Sequence, residues 1–198
     1  MRQDLSQVVT VEELDAEWTR NETVYYWATR NHSQVVEQYL LGSVLDLGCG
    51  PGYLAARVKP NVGWYTGVDI SPKAIALGQK LFPGAHFHIH DIEHDALPFK
   101  DRSFDTIVAS EVFEHLQTHK LLLSEIRRVA RTSIIITVPM SMGGVGHIWP
   151  QWSYQDIIDK FGVLGGFVEI RRCFEGAGKF NLCYIRARGE PTKESLLR

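Results

Sequence analysis

The sequence predicts an α/β fold with a doubly wound, mostly parallel sheet of seven strands that ends in an antiparallel C-terminal hairpin. From about residue 43, short apolar runs alternate with longer amphipathic ones, which is typical of strand–helix–strand units. A glycine-rich segment joins the first apolar run to the helix after it. Near the end of the chain, two β-rich runs are separated only by a glycine-containing turn, which favours a hairpin.

The expected strands and helices follow one another in a regular order. The parallel strands are predicted at 43–47, 64–69, 85–90, 104–110 and 133–138. The helices between them are predicted at 53–58, 73–81 and 118–130. Ser71 and Pro72 suit the N-cap and first position of the second helix, and a capping box at 153–156 precedes a further helix. The hairpin strands are predicted at 167–174 and 181–188.

Composition and charge indicate an ordinary globular protein. Hydrophobic residues make up 44% and charged residues 22% of the 198 positions, with a formal net charge of −2, so we expect no nucleic-acid partner. The apolar runs are too short to span a bilayer, the N-terminus lacks a signal-peptide pattern, and the three cysteines suit a reducing cytoplasm. We expect one domain over residues 1–198, with N-terminal cover or lid, core and tail at 1–32, 43–188 and 189–198.

The glycine-rich segment carries the first functional signal. It reads Asp46-Leu-Gly-Cys-Gly-Pro-Gly52 and follows a buried strand, at the edge where open α/β sheets bind their ligands. Asp69 closes the next strand, 19 residues beyond Gly50, where a carboxylate can accept hydrogen bonds from both hydroxyls of a ribose. That spacing alone would also suit a nicotinamide dinucleotide enzyme.

The spacing of the glycines argues against a dinucleotide. The dinucleotide fingerprint is Gly-x-Gly-x-x-Gly, whereas this loop has glycines at 48, 50 and 52 and a tyrosine at 53. Asp46 would also repel a pyrophosphate, but it would attract a ligand that carries an ammonium group. S-adenosylmethionine has an ammonium group and a sulfonium, and it has no phosphate.

Five segments, in order, resemble the motifs of the class I S-adenosylmethionine-dependent methyltransferases, especially their small-molecule, methyltransferase type 11-like branch. They are residues 44–52, 68–71, 91–99, 103–116 and 137–139. The resemblance covers about residues 40–175 and implies a Rossmann-like fold. This family often has a Pro-Gly-Gly turn before the fifth strand, whereas this chain has Arg131-Thr-Ser, so the conformation of that turn stays open.

The resemblance implies S-adenosylmethionine as the cofactor and assigns its methionine and ribose parts to particular residues. The backbone at Gly48 and Gly50 would line the methionine portion, and Asp46 would lie near its ammonium group. Asp69 would hold the ribose. Other residues, at the ends of the strands, are assigned to the adenine and to the acceptor side.

On the adenine side, the resemblance assigns ring packing to Ile70, an acceptor for the amino group to Asp91 and a backbone contact to Ile92. Three residues at or just after the end of the fourth strand would border the methionine end and the substrate opening. They are Ser110, Glu111 and His115.

Two histidines are candidates for the catalytic chemistry. His115 lies in the segment that the resemblance places at the cofactor pocket, although it would equally suit a cap for the following helix. His147 lies in a segment with three glycines and two tryptophans after the fifth strand, where substrate-facing loops occur in this architecture. We predict that His147 contacts the substrate, and a general-base role for it stays open.

The histidines of the third strand do not predict a metal site. His86, His88 and His90 share one face of the strand, but no cysteine or carboxylate cluster completes a tetrahedral set with them. We expect instead an edge strand with a solvated polar face, Phe87 and Ile89 in the core, and no metal.

The leading functional hypothesis is transfer of a methyl group to an oxygen or nitrogen atom of a small-molecule acceptor by direct displacement. In such a reaction the protein mainly supplies position and alignment. The alternative is a non-catalytic cofactor-binding or scaffolding member of the same fold that supports a partner enzyme. A nicotinamide-dependent reductase is disfavoured by the glycine spacing. Nucleic-acid methylation is disfavoured by the charge and by Ser110-Glu-Val-Phe, which replaces an Asn/Asp-Pro-Pro-aromatic motif. We expect no membrane partner, and the oligomeric state stays open.

Overall fold

The computed structural model describes residues 10–12, 33–58, 64–140, 148, 152–175 and 178–187. Its seven strands are β1 (Val44–Leu47), β2 (Tyr65–Asp69), β3 (His86–Ile89), β4 (Phe104–Ser110), β5 (Ala130–Pro139), β6 (Gly166–Glu175) and β7 (Gly178–Arg186). The α-helices whose bounds lie within these ranges are α1 (Pro72–Leu81), α2 (Lys120–Val129) and α3 (Tyr154–Phe161), and residues 11–12 and 33–36 are also helical. Short 3-10 helices lie at Glu37–Tyr39, Tyr53–Arg57, Phe113–His115 and Gly162–Leu164. Among these described helices, none has the length and apolar character needed to cross a membrane.

The seven strands form one sheet in the order β3-β2-β1-β4-β5-β7-β6. The first five strands pair in parallel, whereas β7 pairs antiparallel with both β5 and β6. This confirms the predicted mostly parallel sheet with a C-terminal hairpin. The strand order reverses between β1 and β4, and the carboxyl ends of the parallel strands meet at one edge there, which is where open α/β sheets bind ligands.

Two apolar layers cover the sheet. One contains buried residues of α2 and α3, such as Ile126 and Phe161. The other contains Ile75 of α1 together with Val36, which precedes the first short helix. Because both faces are covered, all four residues of β1 are buried, as is typical of parallel strands.

Two helix starts agree with the local signals in the sequence. The hydroxyl of Ser71 accepts a hydrogen bond from the backbone N–H of Ala74 at 3.1 Å, and Pro72 opens α1. A complete capping box at Ser153 and Asp156 precedes α3. The helix expected over 53–58 is a 3-10 helix over Tyr53–Arg57.

The segment before the fifth strand contains no separate turn. Helix α2 ends at Val129, and β5 begins at the next residue, Ala130, whose backbone is already extended (φ −71°, ψ 136°). The guanidinium of Arg131 donates to the carbonyl of Arg102 at 2.9 Å and to the carboxylate of Asp105 at 2.7 Å. These bonds hold the start of β5 beside β4, so the strand is longer than the predicted 133–138.

The third strand differs from expectation at one residue. It is the edge strand, and His86 and His88 are exposed while Phe87 is buried, as expected. The placement of Ile89 in the core was wrong, because its side chain is 58% exposed. Ile89 pairs with Asp69 at the last position of the ladder, and within the part of the chain that the structure describes no further strand lies outside it to extend the core.

Arg128 joins α2 to the loop before β4. Its guanidinium donates to the carbonyls of Leu97 at 2.9 Å and Phe99 at 2.6 Å, and it pairs with the buried carboxylate of Glu125 at 2.6 Å. We expect Arg128→Ala to lower the free energy of unfolding by about 2 kcal/mol, because a buried carboxylate loses its partner. Urea denaturation measures this change. Arg127→Ala, at the exposed neighbouring position, should stay within about 0.5 kcal/mol of the wild type, and an equal loss there would contradict the assignment.

Candidate functional site

The glycine loop after β1 has a backbone that other residues adopt with difficulty. Gly48, Gly50 and Gly52 have φ values of 63°, 52° and 73°, all in the left-handed region. A Cβ atom on Gly48 would lie 2.7 Å from Cγ2 of Val112, so the loop also packs closely against the segment after β4. The ends of β1 and β4 are therefore in direct contact.

Asp69 fastens this loop to the end of β2. One carboxylate oxygen accepts a hydrogen bond from the backbone N–H of Gly50 at 2.8 Å, and the other accepts from the N–H of Ser71 at 2.8 Å. A carboxylate oxygen has more than one acceptor direction, so both can still receive hydrogen bonds from a ligand. Asp69 thus positions the loop and presents an anionic acceptor at the same edge.

Asp46 lies under the loop, paired with a residue that the sequence analysis did not select. The hydroxyl of Tyr65 donates to its carboxylate at 2.7 Å, and both side chains are buried. Burial raises the pKa of Asp46 to about 7, although the hydrogen bond from Tyr65 acts in the opposite direction. A carboxylate desolvated in this way is well suited to a cationic group.

The residues predicted for the adenine lie at the ends of β2 and β3. Asp91 accepts from the backbone N–H groups of Glu93 at 2.9 Å and His94 at 3.2 Å, and its second oxygen contacts the His94 ring at 2.9 Å. Asp91 therefore organises a tight turn. The side chain of Ile92 is buried in the core, whereas Ile70 is half-buried.

The residues after β4 form a hydrogen-bonded group with β5. Thr137 contacts the hydroxyl of Ser110 at 2.8 Å and donates to the carboxylate of Glu111 at 3.0 Å. The backbone of Glu111 has a φ of 55°, which is unfavourable for a residue with a side chain. Its N–H is held by the carbonyl of Thr137 at 3.1 Å. The fold thus maintains a strained residue at the edge of the sheet.

Glu114 is a second residue that the sequence analysis did not select. It is fully buried, and neither of its carboxylate oxygens has a hydrogen-bond partner among the residues that the structure describes. Burial, together with the nearby Glu111, raises the pKa of Glu114 well above its ordinary value. Burial also raises the pKa of Glu111 to about 7. Each of the two carboxyls therefore lies in surroundings that favour its neutral form. Glu114 lies in a helix of only three residues, which leaves no local signal for its burial.

Of the two candidate histidines, the structure describes His115 but not His147. His115 ends the short helix Phe113–His115 and is partly buried. The suggestion that it caps the following helix is wrong, because the N-cap residue of α2 is His119. His147 lies outside the described residues, as does most of the N-terminal segment 1–32. In the ranges that the structure covers, no group of three or more potential metal-ligating side chains comes together.

Glu114 should make the protein less stable as the pH rises. The folded protein keeps a proton on this carboxyl that the unfolded chain loses above pH 4.5, so folding takes up a proton and is disfavoured at higher pH. We expect Glu114→Gln to be more stable than the wild type at neutral pH, with the difference growing by about 1 kcal/mol between about pH 6 and 7. Urea denaturation at several pH values measures it.

The exposed Gln117 provides the control, since Gln117→Ala removes no ionisable group. Its difference from the wild type should stay constant with pH. If the Glu114→Gln difference were equally constant, Glu114 would not hold a proton in the folded protein.

Known proteins show the same fold and sequence pattern. A family model described as a methyltransferase domain matches residues 45–136. A malonyl-[acyl-carrier protein] O-methyltransferase of Erwinia pyrifoliae is 34% identical over 140 residues, which are 70% of this chain and 52% of that protein. A demethylmenaquinone methyltransferase of Thermotoga maritima is 34% identical over 90 residues, 44% of this chain and 38% of that protein. The chain thus spans about half the length, or less, of these relatives.

A solved structure supports the fold at lower sequence identity. The 1,6-didemethyltoxoflavin-N1-methyltransferase of Burkholderia thailandensis, with bound S-adenosylhomocysteine, superimposes with a TM-score of 0.70 at 15% identity. The match covers 89% of this chain and 86% of that one. Together with the order of the motifs around the sheet edge, these similarities support a class I S-adenosylmethionine-dependent methyltransferase.

Proposed function

We propose that this protein transfers a methyl group from S-adenosylmethionine to an oxygen or nitrogen atom of a small-molecule acceptor by direct displacement. The observation that carries the proposal is the arrangement of three carboxyl groups around the glycine loop. Asp46 lies beneath the loop, Asp69 holds it from β2, and Glu111 stands beyond it at the end of β4. This arrangement offers separate places for an ammonium group, a ribose and an acceptor.

The residues of the site fit the cofactor. The buried carboxylate of Asp46 suits the ammonium group, and Asp69 has acceptor capacity for ribose hydroxyls. Ile70, Asp91 and Ile92 follow the neighbouring strands β2 and β3, where the adenine would lie. The bound cofactor supplies a methyl group that its sulfonium already activates. The protein's part is therefore to position the acceptor in line and to exclude water.

The acceptor side is formed by Ser110, Glu111 and His115, and we propose that His147 contacts the acceptor from the segment after β5. The backbone N–H of Ile148 donates to the carbonyl of Glu114 at 2.7 Å, which brings the residue after His147 to the carboxyl pair. The names of the similar proteins include an O-methyltransferase of a malonyl group on a carrier protein and an N1-methyltransferase. Both oxygen and nitrogen acceptors thus remain within the proposal.

Cofactor binding and turnover test the proposal separately. Calorimetric titration with S-adenosylhomocysteine should show binding with a Kd of about 1 to 10 μM, and NADH should not bind. Incubation with S-adenosylmethionine and a panel of hydroxyl, amine and carboxylate acceptors should give acceptor-dependent S-adenosylhomocysteine. Binding of NADH alone would contradict the cofactor site. Tight binding without turnover on any acceptor would favour the scaffolding alternative.

A further inference from the structure

Glu111 and Glu114 lie between the cofactor loop and the segment that follows β5. Val112, between them in sequence, packs against Gly48 of the loop. Thr137, near the end of β5, donates to Glu111, and Ile148 donates to the carbonyl of Glu114. Under the proposed function, this is where the methyl end of the cofactor would meet the acceptor. Glu111 is partly accessible, and Glu114 is enclosed in the protein.

This arrangement is costly for the fold and has no evident structural benefit. Glu114 has both carboxylate oxygens buried without hydrogen-bond partners among the described residues, and Glu111 has a strained backbone. A buried carboxyl without partners destabilises a protein, and an apolar residue of similar size would fill the same space at lower cost. Strain and unpaired buried acids are concentrated at functional sites. Their coincidence at this edge points to chemistry.

We propose that Glu111 and Glu114 form a proton-sharing carboxyl pair, in which Glu111 takes the proton of the acceptor hydroxyl or N–H during methyl transfer and Glu114 positions it. This inference rests on the proposed function and names the acceptor class. The acceptor atom bonds to the methyl carbon as the carbon–sulfur bond breaks, and that electron pair stays on sulfur. The acceptor's proton passes to the Glu111 carboxylate and then to water.

The surroundings of the pair suit this role. Within the described residues, the groups that face Glu111 are the Thr137 hydroxyl and the Glu114 carboxyl, and Glu111 is the ionisable group that acts on Glu114. Burial favours the neutral form of Glu114, so this neighbour adds little negative charge beside the Glu111 carboxylate, while the Thr137 hydroxyl donates to that carboxylate. Burial opposes that charge, so Glu111 titrates near pH 7, where a general base is most effective.

The pair also selects among acceptors. A carboxylate acceptor has no proton to give up, and the charge of Glu111 would repel it. A hydroxyl or N–H acceptor needs to lose its proton and would be drawn to the same group. We therefore infer that this protein methylates a hydroxyl or nitrogen acceptor rather than a carboxylate such as a malonyl group.

The first test needs no acceptor. S-adenosylmethionine carries a positive charge beside its methyl group, whereas S-adenosylhomocysteine lacks both the methyl group and that charge. If Glu111 faces the methyl group, S-adenosylmethionine will lower its pKa and release more protons on binding. Calorimetric titration of each ligand in buffers of different ionisation enthalpy counts these protons. At about pH 7 we expect a difference of up to about half a proton per site in the wild type.

Three variants test whether the difference in proton release between the two ligands comes from the carboxyl pair. Glu111→Gln should abolish it. Glu114→Gln should retain it, because the substitution leaves the Glu111 carboxylate in place beside an amide that carries no charge. Tyr65→Phe is the matched control: it affects the site of the ammonium group, which both ligands carry, and so leaves the difference unchanged.

The outcomes separate this inference from the proposed function. If neither ligand binds, the cofactor assignment fails. If both bind with equal proton release, or if the difference survives in Glu111→Gln, the pair does not face the methyl group and the inference is overturned. Stoichiometric Mg²⁺ binding that Glu111→Gln abolishes would also overturn it, because carboxylates committed to a cation are not free to act as a base. With any hydroxyl or N–H acceptor, Glu111→Gln should lower kcat about 100-fold and change KM little.

Discussion

Replacing Asp69 by alanine should weaken the binding of S-adenosylhomocysteine by about 100-fold or more, as measured by calorimetric titration. The substitution removes a proposed partner for the ribose hydroxyls, and each hydrogen bond to a charged group contributes about 1.5 to 3 kcal/mol. It also releases the backbone N–H groups of Gly50 and Ser71, which Asp69 holds at 2.8 Å. The loop would then no longer be positioned before the ligand arrives.

A matched pair of variants distinguishes these two contributions. Asp69→Asn keeps one carbonyl acceptor for the loop and replaces the other oxygen by an NH₂ group that faces a donor. We expect a loss between those of the alanine variant and the wild type. Asp159→Ala, on the exposed side of α3, should leave binding unchanged. Wild-type affinity in Asp69→Ala would remove Asp69 from the cofactor site.

The parallel half of the fold was predictable because its signals are local. A buried strand, a glycine turn and an aspartate at the next strand end each occupy a few consecutive residues, as in 44–52 and 65–69. The capping signals at Ser71 and Ser153 are equally local, and both are present in the structure. Residues of this kind need no knowledge of distant contacts, and their order along the chain indicated the family.

The features that sequence reasoning missed depend on distant contacts. Glu114 belongs to a short helix whose buried side could not be read from three residues. Tyr65 lies on the neighbouring strand, two residues from Gly67, which pairs directly with Asp46, so its contact with Asp46 depends on the register of the two strands. Ile89 alternates correctly for a core residue but lies at the open edge of the sheet. Each of these depends on which elements become neighbours.

The contact between Tyr65 and Asp46 makes cofactor affinity dependent on pH. The pKa of Asp46 is raised to about 7 by burial, and only its charged form attracts an ammonium group. We therefore expect the affinity for S-adenosylhomocysteine to rise with pH through about 7 and then to level off. Asp46→Asn should lower the affinity about 100-fold at about pH 8 and remove this rise, because a buried charge pair is lost.

Tyr65→Phe provides the more specific measurement, because it leaves the carboxyl in place. The tyrosine hydroxyl donates at 2.7 Å to the charged form of Asp46 and so lowers its pKa. Without it, the pKa of Asp46 rises further, and the increase in affinity moves to higher pH. We expect binding about tenfold weaker at about pH 7, with the loss shrinking as the pH approaches about 8.5. A loss independent of pH would show that Tyr65 acts through packing, and a rise that persists in Asp46→Asn would assign the titration to another group.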